Sequence, residues 1–224
     1  MAATVYNNRA YVIGGLDKQV GIECQVYTSE NNSWLFEFPS LPKGRFNSVC
    51  FVYRDSLYVF GGTDNSSNMN EIVRYDLSTQ NSGEWTTIAK VNEANQRGGV
   101  AFVVEDKVYA GLGEKSNGIR NGFYVSSDSL TKWELIPSIP AQLGVISSGV
   151  YDEQKKSFFM IDNDGKIWEY NLTTEQWTSR SLWIRMKNYH MFMLDGSIYI
   201  LGQDIYQKNK FTVYNPIWDN CCLL

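Results

Sequence analysis

Histidine is nearly missing from this 224-residue chain; His190 is the single one. A site built from two or more histidine ligands is therefore excluded. The four cysteines, Cys24, Cys50, Cys221 and Cys222, follow neither a zinc-binding spacing nor an obvious disulfide framework. Their expected state is buried free thiols in a reducing compartment. No apolar run is long enough to span a bilayer, so no membrane partner is expected. Met1 to Tyr6 lacks a basic region followed by an apolar one. No signal peptide is expected, and the expected location is cytoplasmic. The formal net charge is −4, the pI is near 5.1, and no basic run is interleaved with aromatics. Nothing here attracts nucleic acid. Three sequons begin at Asn31, Asn65 and Asn171, but an asparagine-rich chain supplies these by chance.

What the chain has in abundance is a repeat. An apolar strand ending in small or polar residues occurs five times. The copies are Tyr11-Val-Ile-Gly-Gly15, Tyr58-Val-Phe-Gly-Gly62, Tyr109-Ala-Gly-Leu-Gly113, Phe159-Met-Ile-Asp-Asn163 and Tyr199-Ile-Leu-Gly-Gln203. Their starts lie 47, 51, 50 and 40 residues apart. One tryptophan follows each: Trp34, Trp85, Trp133, Trp177 and Trp218. A period of this length, built from short strands, signals radial repetition of small sheets. A single repeat cannot bury both of its faces, so the repeats form one domain over 1–224.

The second repeat shows the unit. Ser48 to Tyr53 reads as an apolar strand a. Arg54-Asp55-Ser56 turns the chain. Leu57 to Phe60 is strand b, apolar at nearly every position, as expected where both sheet faces are covered. Gly61-Gly62 ends it, permitting positive φ or close backbone approach. After a polar loop, Thr63 to Asn70, the alternating Glu71 to Asp76 is strand c and Glu84 to Ala89 is strand d. The fourth repeat has a longer a–b turn, from Asp152 to Ser157. The five blades are expected at about 1–43, 44–94, 95–141, 142–184 and 185–224.

Paired glycines after a strand, a tyrosine seven residues before a tryptophan (Tyr27 to Trp34, Tyr170 to Trp177), and Leu41-Pro42-Lys-Gly-Arg45 before the next strand form a pattern. It resembles the kelch repeat across essentially the whole chain. Repeats four and five depart from it, with Asp162-Asn163 and Gly202-Gln203 in place of the glycine pair. The resemblance implies an all-β kelch-type β-propeller with five recognisable four-stranded blades. It is expected either as a closed five-bladed ring or as an incomplete larger propeller that self-associates through an exposed sheet face. It also implies that the strand-d tryptophans pack between blades beside the strand-c tyrosines. The implied function is a non-catalytic protein–protein interaction module, such as a substrate-presenting adaptor or a cytoskeletal binder. No cofactor or metal is implied. The alternative is a sugar epimerase or mutarotase of the same propeller type, with a small sugar as substrate.

Candidate recognition residues come from the loops that share one face, b–c and d–a. They are Arg45, Arg97 and Arg185 near d–a junctions, Asp64 and Asn65 in the second b–c loop, Glu114 in the third and Tyr206 in the fifth. The enzymatic alternative needs an arginine, a carboxylate such as Glu114 and His190 converging on one pocket. His190 starts a strand a and is expected to face the central channel. Gly111-Leu-Gly113 opens no helix, so a phosphate cradle is not expected. Cys221-Cys-Leu-Leu224 fits a prenylation box, but it aligns with strand d of the last repeat and reads as a strand.

Overall fold

A computed structural model describes residues 1–79, 82–118, 122–127, 129–140, 146, 148–162, 165–183, 187–204, 206–215 and 220–223. Asn163, Arg185 and Trp218 lie outside this set. The chain forms two compact units, Met1–Leu135 and Ile136–Leu224.

The first unit holds three antiparallel four-stranded sheets in simple a-b-c-d order. Blade 1 comprises β1 (Ala2–Tyr6), β2 (Arg9–Ile13), β3 (Cys24–Thr28) and β4 (Ser33–Phe38). Blade 2 comprises β5 (Val49–Tyr53), β6 (Ser56–Phe60), β7 (Glu71–Asp76) and β8 (Thr86–Lys90). A two-stranded ribbon joins β9 (Gln96–Arg97) to β12 (Glu114–Lys115). Blade 3 comprises β10 (Val100–Val104), β11 (Lys107–Gly111), β13 (Phe123–Ser127) and β14 (Glu134–Leu135). The second unit holds blade 4, made of β15 (Gly149–Asp152), β16 (Ser157–Ile161), β17 (Lys166–Asn171) and β18 (Gln176–Trp183). Blade 5 comprises β19 (Lys187–Leu194), β20 (Ser197–Gln203), β21 (Asn209–Asn215) and β22 (Asn220–Leu223). Cys221 and Cys222 thus lie in a d strand, paired with Tyr214 and Val213. No helix among the described residues is long and apolar enough to cross a membrane.

Local sequence explains these sheets. Strands β6 and β16 are buried at every position because both faces are covered. The a–b hairpins turn on left-handed residues, Asn7-Asn8, Arg54-Asp55 and Asp195-Gly196. Such turns match the twist of the flanking strands. In blade 4 the glycine pair is replaced by a different device. Buried Asp162 accepts hydrogen bonds from the Lys166 amide at 3.0 Å and the Trp168 indole at 2.8 Å. This closes a short b–c hairpin where blades 1 and 2 have a glycine pair and a long loop.

Blades are joined by recurring contacts. One core sets Ile13, Val26 and Phe38 of blade 1 against Leu57, Val59 and Tyr75 of blade 2. A second sets Phe51, Tyr53, Tyr58, Phe60 and Ile72 of blade 2 against Val108, Ala110 and Leu130 of blade 3. Within the second unit, Phe159, Ile161 and Ile167 meet Met191, Ile198 and Tyr214. At the a–b ends, Tyr6 donates to the Asp55 carboxylate, and Tyr53 donates to the Asp106 carbonyl at 3.0 Å. The bond to Asp55 raises the Tyr6 pKa above its ordinary value.

Two of the repeat tryptophans, Trp85 and Trp177, behave alike, whereas the Trp133 indole donates to the Leu130 carbonyl of its own blade at 2.9 Å. Trp85 packs on Tyr75 and donates to the Pro39 carbonyl at 2.9 Å. Trp177 packs on Tyr170 and donates to the Pro137 carbonyl at 2.6 Å. Trp133 packs edge-on against Phe60. Trp34 departs from the expectation that all these rings pack between blades: it touches Tyr27 but stays 46% exposed.

Cys24 and Cys50 are free and buried in the first core. Burial pushes both thiols up to about 12. Thiols this far from ionisation react slowly. We expect peptides containing Cys24 or Cys50 to resist alkylation at neutral pH until the chain is unfolded. Rapid native-state labelling, read by peptide mass spectrometry, would show that this core opens.

Candidate functional site

The candidate site lies between blades 2 and 3, where two b–c loops flank a d–a junction. The junction runs from β8 to β10 and is clasped from both sides. From blade 2, the Gly62 amide donates to the Gln96 carbonyl at 2.8 Å. From blade 3, the Gly113 amide donates to the Gln96 side-chain carbonyl, also at 2.8 Å. Gln96 is buried, and its amide nitrogen donates to the Glu93 carbonyl. With Gln96 pointing inward, Arg97 points outward, since side chains alternate along a strand. Its Nε and Nη2 donate to Glu114 Oε2 at 3.1 and 2.9 Å across the β9–β12 ribbon.

The result is an open polar cleft of about 380 Å³. One wall is Thr63 and the run from Asn65 to Asn68; the other is Arg97, Glu114, Lys115, Ser116 and Gly118. The walls are tied by Asn68 Nδ2 donating to the Glu114 carbonyl at 2.9 Å. Asp64 orders the first wall from behind. Its carboxylate accepts from the Ser66 hydroxyl at 2.6 Å and from the Ser66 and Ser67 amides at 3.0 Å each. Lys43 bridges to its other oxygen at 2.8 Å. Lys43 first, then the Ser66 hydroxyl and these amides, hold the Asp64 carboxyl well below the usual carboxylate range. Because the shift is downward, this ordering is complete above the ordinary carboxylate pKa. It is lost only as pH falls through the lowered folded value. Lys115 Nζ sits 2.8 Å from the Tyr124 hydroxyl, to which it donates, and lies over that ring. The cleft thus offers amide, hydroxyl and guanidinium donors on ordered backbone, with little apolar lining.

Three expected site residues, Asn65, Arg97 and Glu114, share this cleft, and Asp64 supports it. Arg45 does not. It is fully buried, and its guanidinium donates to the Gly61 carbonyl at 3.3 Å and to Glu71 at 3.4 Å. Burial lowers the Arg45 pKa, opposed by Glu71. The expected equivalence of Arg45 and Arg97 is off by one residue. Aligning Val49 with Val100 makes Gln96 the counterpart of Arg45, and Phe46 that of Arg97. The pairings agree: Phe46 bridges Thr63, as Arg97 pairs with Glu114. One residue of offset moves a side chain to the other face.

Tyr206, in the second unit, is exposed at the tip of a turn whose Tyr206 and Lys208 amides donate to Asp204. His190 is exposed and lines a separate hollow of about 340 Å³ with Gln203, Asn209 and Lys210. Among the described residues, neither unit brings an arginine, a carboxylate and His190 into one pocket. Nor does any group of three or more His, Cys, Asp or Glu among them stand ready for a metal. Lys115, Ser66, Ser67 and Asn68 were not expected as lining residues. Their signal was their place in the two loops whose bases pair with a d–a junction.

The Kelch motif model matches residues 44–92, the whole of blade 2 with its entering junction. Blade 2 is a kelch repeat. The chain is similar to Kelch-like protein 36 of Mus musculus, 26% identical over 161 residues, covering 66% of this chain and 25% of that protein. It is also similar to Kelch repeat and BTB domain-containing protein 1 of Ectromelia virus (strain Moscow), 25% identical over 227 residues, covering 96% of this chain and 39% of that protein. The kelch repeats here thus span between a quarter and two fifths of these curated relatives. A solved structure titled "Structure of YjhT" superposes with a TM-score of 0.80 at 14% identity, covering 99% of this chain and 82% of that one. The fold is therefore that of an all-β kelch propeller, with blades of four antiparallel strands.

Proposed function

We propose that this kelch-repeat chain is a protein-interaction module whose recognition site is the cleft between blades 2 and 3. The observation that carries this reading is the construction of the cleft. Its side chains are ordered by hydrogen bonds from beneath, yet Arg97 keeps 49% of its side chain exposed. Open, polar, preorganised loop surfaces on a rigid scaffold suit protein recognition, where arginine is a frequent anchor. Similarity to Kelch-like and BTB-domain proteins supports the same reading. An adaptor role, presenting a bound protein to others, is the finer form of the proposal, in the cytoplasm, where the free Cys24 and Cys50 would stay reduced.

The test is comparative capture with the immobilised 224-residue chain, its Arg97→Glu variant and an Arg54→Glu variant at the opposite, a–b end. Proteins held by the wild type and by Arg54→Glu should fall by at least about tenfold on Arg97→Glu. Arg97→Glu should change stability by less than about 1 kcal/mol, because an exposed ion pair contributes little. Identical capture profiles for all three would remove the cleft from the account.

A further inference from the structure

The ion pair in the blade 2–3 cleft is not demanded by the repeat. At the equivalent place between blades 1 and 2, Phe46 and Thr63 bridge as Arg97 and Glu114 do, without any charge. The same junction is therefore built without ions. Nor does the pair add much stability, because Arg97 keeps 49% of its side chain in solvent. What it does add is charge on the wall of the cleft.

The pair is lopsided. Arg97 donates from both Nε and Nη2, yet both bonds end on one oxygen of Glu114, at 3.1 and 2.9 Å. Two parallel bonds to two oxygens would hold a carboxylate more strongly. Glu114 is the inner partner, with 18% of its side chain exposed. Its backbone is fixed by pairing of β12 with β9 and by Asn68 Nδ2, which donates to its carbonyl. In and behind the cleft stand three cations, Lys43, Arg97 and Lys115, against two carboxylates, Asp64 and Glu114. The cleft is thus locally cationic on a chain whose formal net charge is −4. That balance favours an acidic occupant.

We propose that Glu114 is an internal competitor for an acidic segment of the partner protein, whose carboxylate exchanges for Glu114 on the Arg97 guanidinium. This rests on the cleft being the recognition site and adds the chemistry of what it recognises. A carboxylate arriving at Arg97 meets the charge of Glu114 beside it, and like charges at that range oppose binding. Glu114→Gln removes the charge, while its amide oxygen still accepts from Arg97. The substitution should therefore strengthen binding of acidic segments, where loss of a merely structural ion pair would not.

The test places the full chain on an array of short randomised peptides in three sets. The sets differ only at two central positions, which are both Glu, both Gln or both Lys. The wild type should favour the Glu set over the Gln set. Glu114→Gln should raise the Glu-to-Gln ratio by at least about fivefold. Arg97→Gln should abolish the preference. The ratio is read even if a variant folds less completely, since misfolded chain lowers all sets alike. A ratio unchanged or lowered by Glu114→Gln, a preference for the Lys set, or a wild type that binds no set would each overturn the competitor. The recognition reading would then still stand or fall by the capture experiment. A Glu preference that survives Arg97→Gln would overturn both.

Discussion

Arg45→Ala should destabilise the chain by about 3 kcal/mol in urea unfolding, near the low end for removing one partner of a buried ion pair. Its fully buried guanidinium satisfies the Gly61 carbonyl and pairs with Glu71, and its Nε reaches the Lys43 carbonyl at 3.4 Å. Removing it leaves a cavity and an unpaired carbonyl at the base of the second b–c loop. Glu71 keeps 24% of its side chain in solvent and retains Lys90 at 3.7 Å. It is therefore not stranded as an isolated buried charge, which keeps the cost from rising higher. Arg45→Met, which refills the volume without the bonds, should recover part of the loss. A change below about 1 kcal/mol would show that the junction tolerates the loss of this ion, contrary to its burial.

Trp85→Ala should cost a similar amount, about 3 kcal/mol, the lower end for tryptophan deletions because the ring is only half-buried. The ring packs against the core shared by blades 1 and 2, and its indole N–H holds the Pro39 carbonyl. Trp85→Phe should lose about 1 kcal/mol, roughly one hydrogen bond. Trp34→Ala supplies the contrast. That ring is nearly half exposed and touches Tyr27, so its loss should stay within about 1 kcal/mol in monomeric chain. Equal costs at positions 34 and 85 would mean that the repeat, and not the neighbouring blade, sets the role of these rings.

Much of the fold was legible because the repeat is written in backbone requirements. Gly61 shows why. Its φ is +65°, and a Cβ there would sit 2.5 Å from the Ala94 carbonyl oxygen. Gly14 meets the same demand in blade 1, where φ is +60° and a Cβ would sit 2.4 Å from the Arg45 carbonyl oxygen. Strand b was legible for a related reason, since its two covered faces leave no place for polar residues. The site was harder to read. Asn65, Arg97 and Glu114 could be drawn from loop position, but burial of Arg45 depends on a one-residue register that a place near a d–a junction does not reveal. Asp162 was legible as a departure from the glycine pair. Its role in closing a hairpin was not, because that depends on the indole of Trp168 lying beside it.

The most direct test of the recognition reading is hydrogen exchange of the chain alone and in complex with a protein it captures. The account predicts slowed exchange at residues 63–68, 96–97 and 114–118 on binding, with the a–b turns at 54–55 and 105–106 unchanged. Protection confined to those turns, or to segments outside the blade 2–3 cleft, would contradict it.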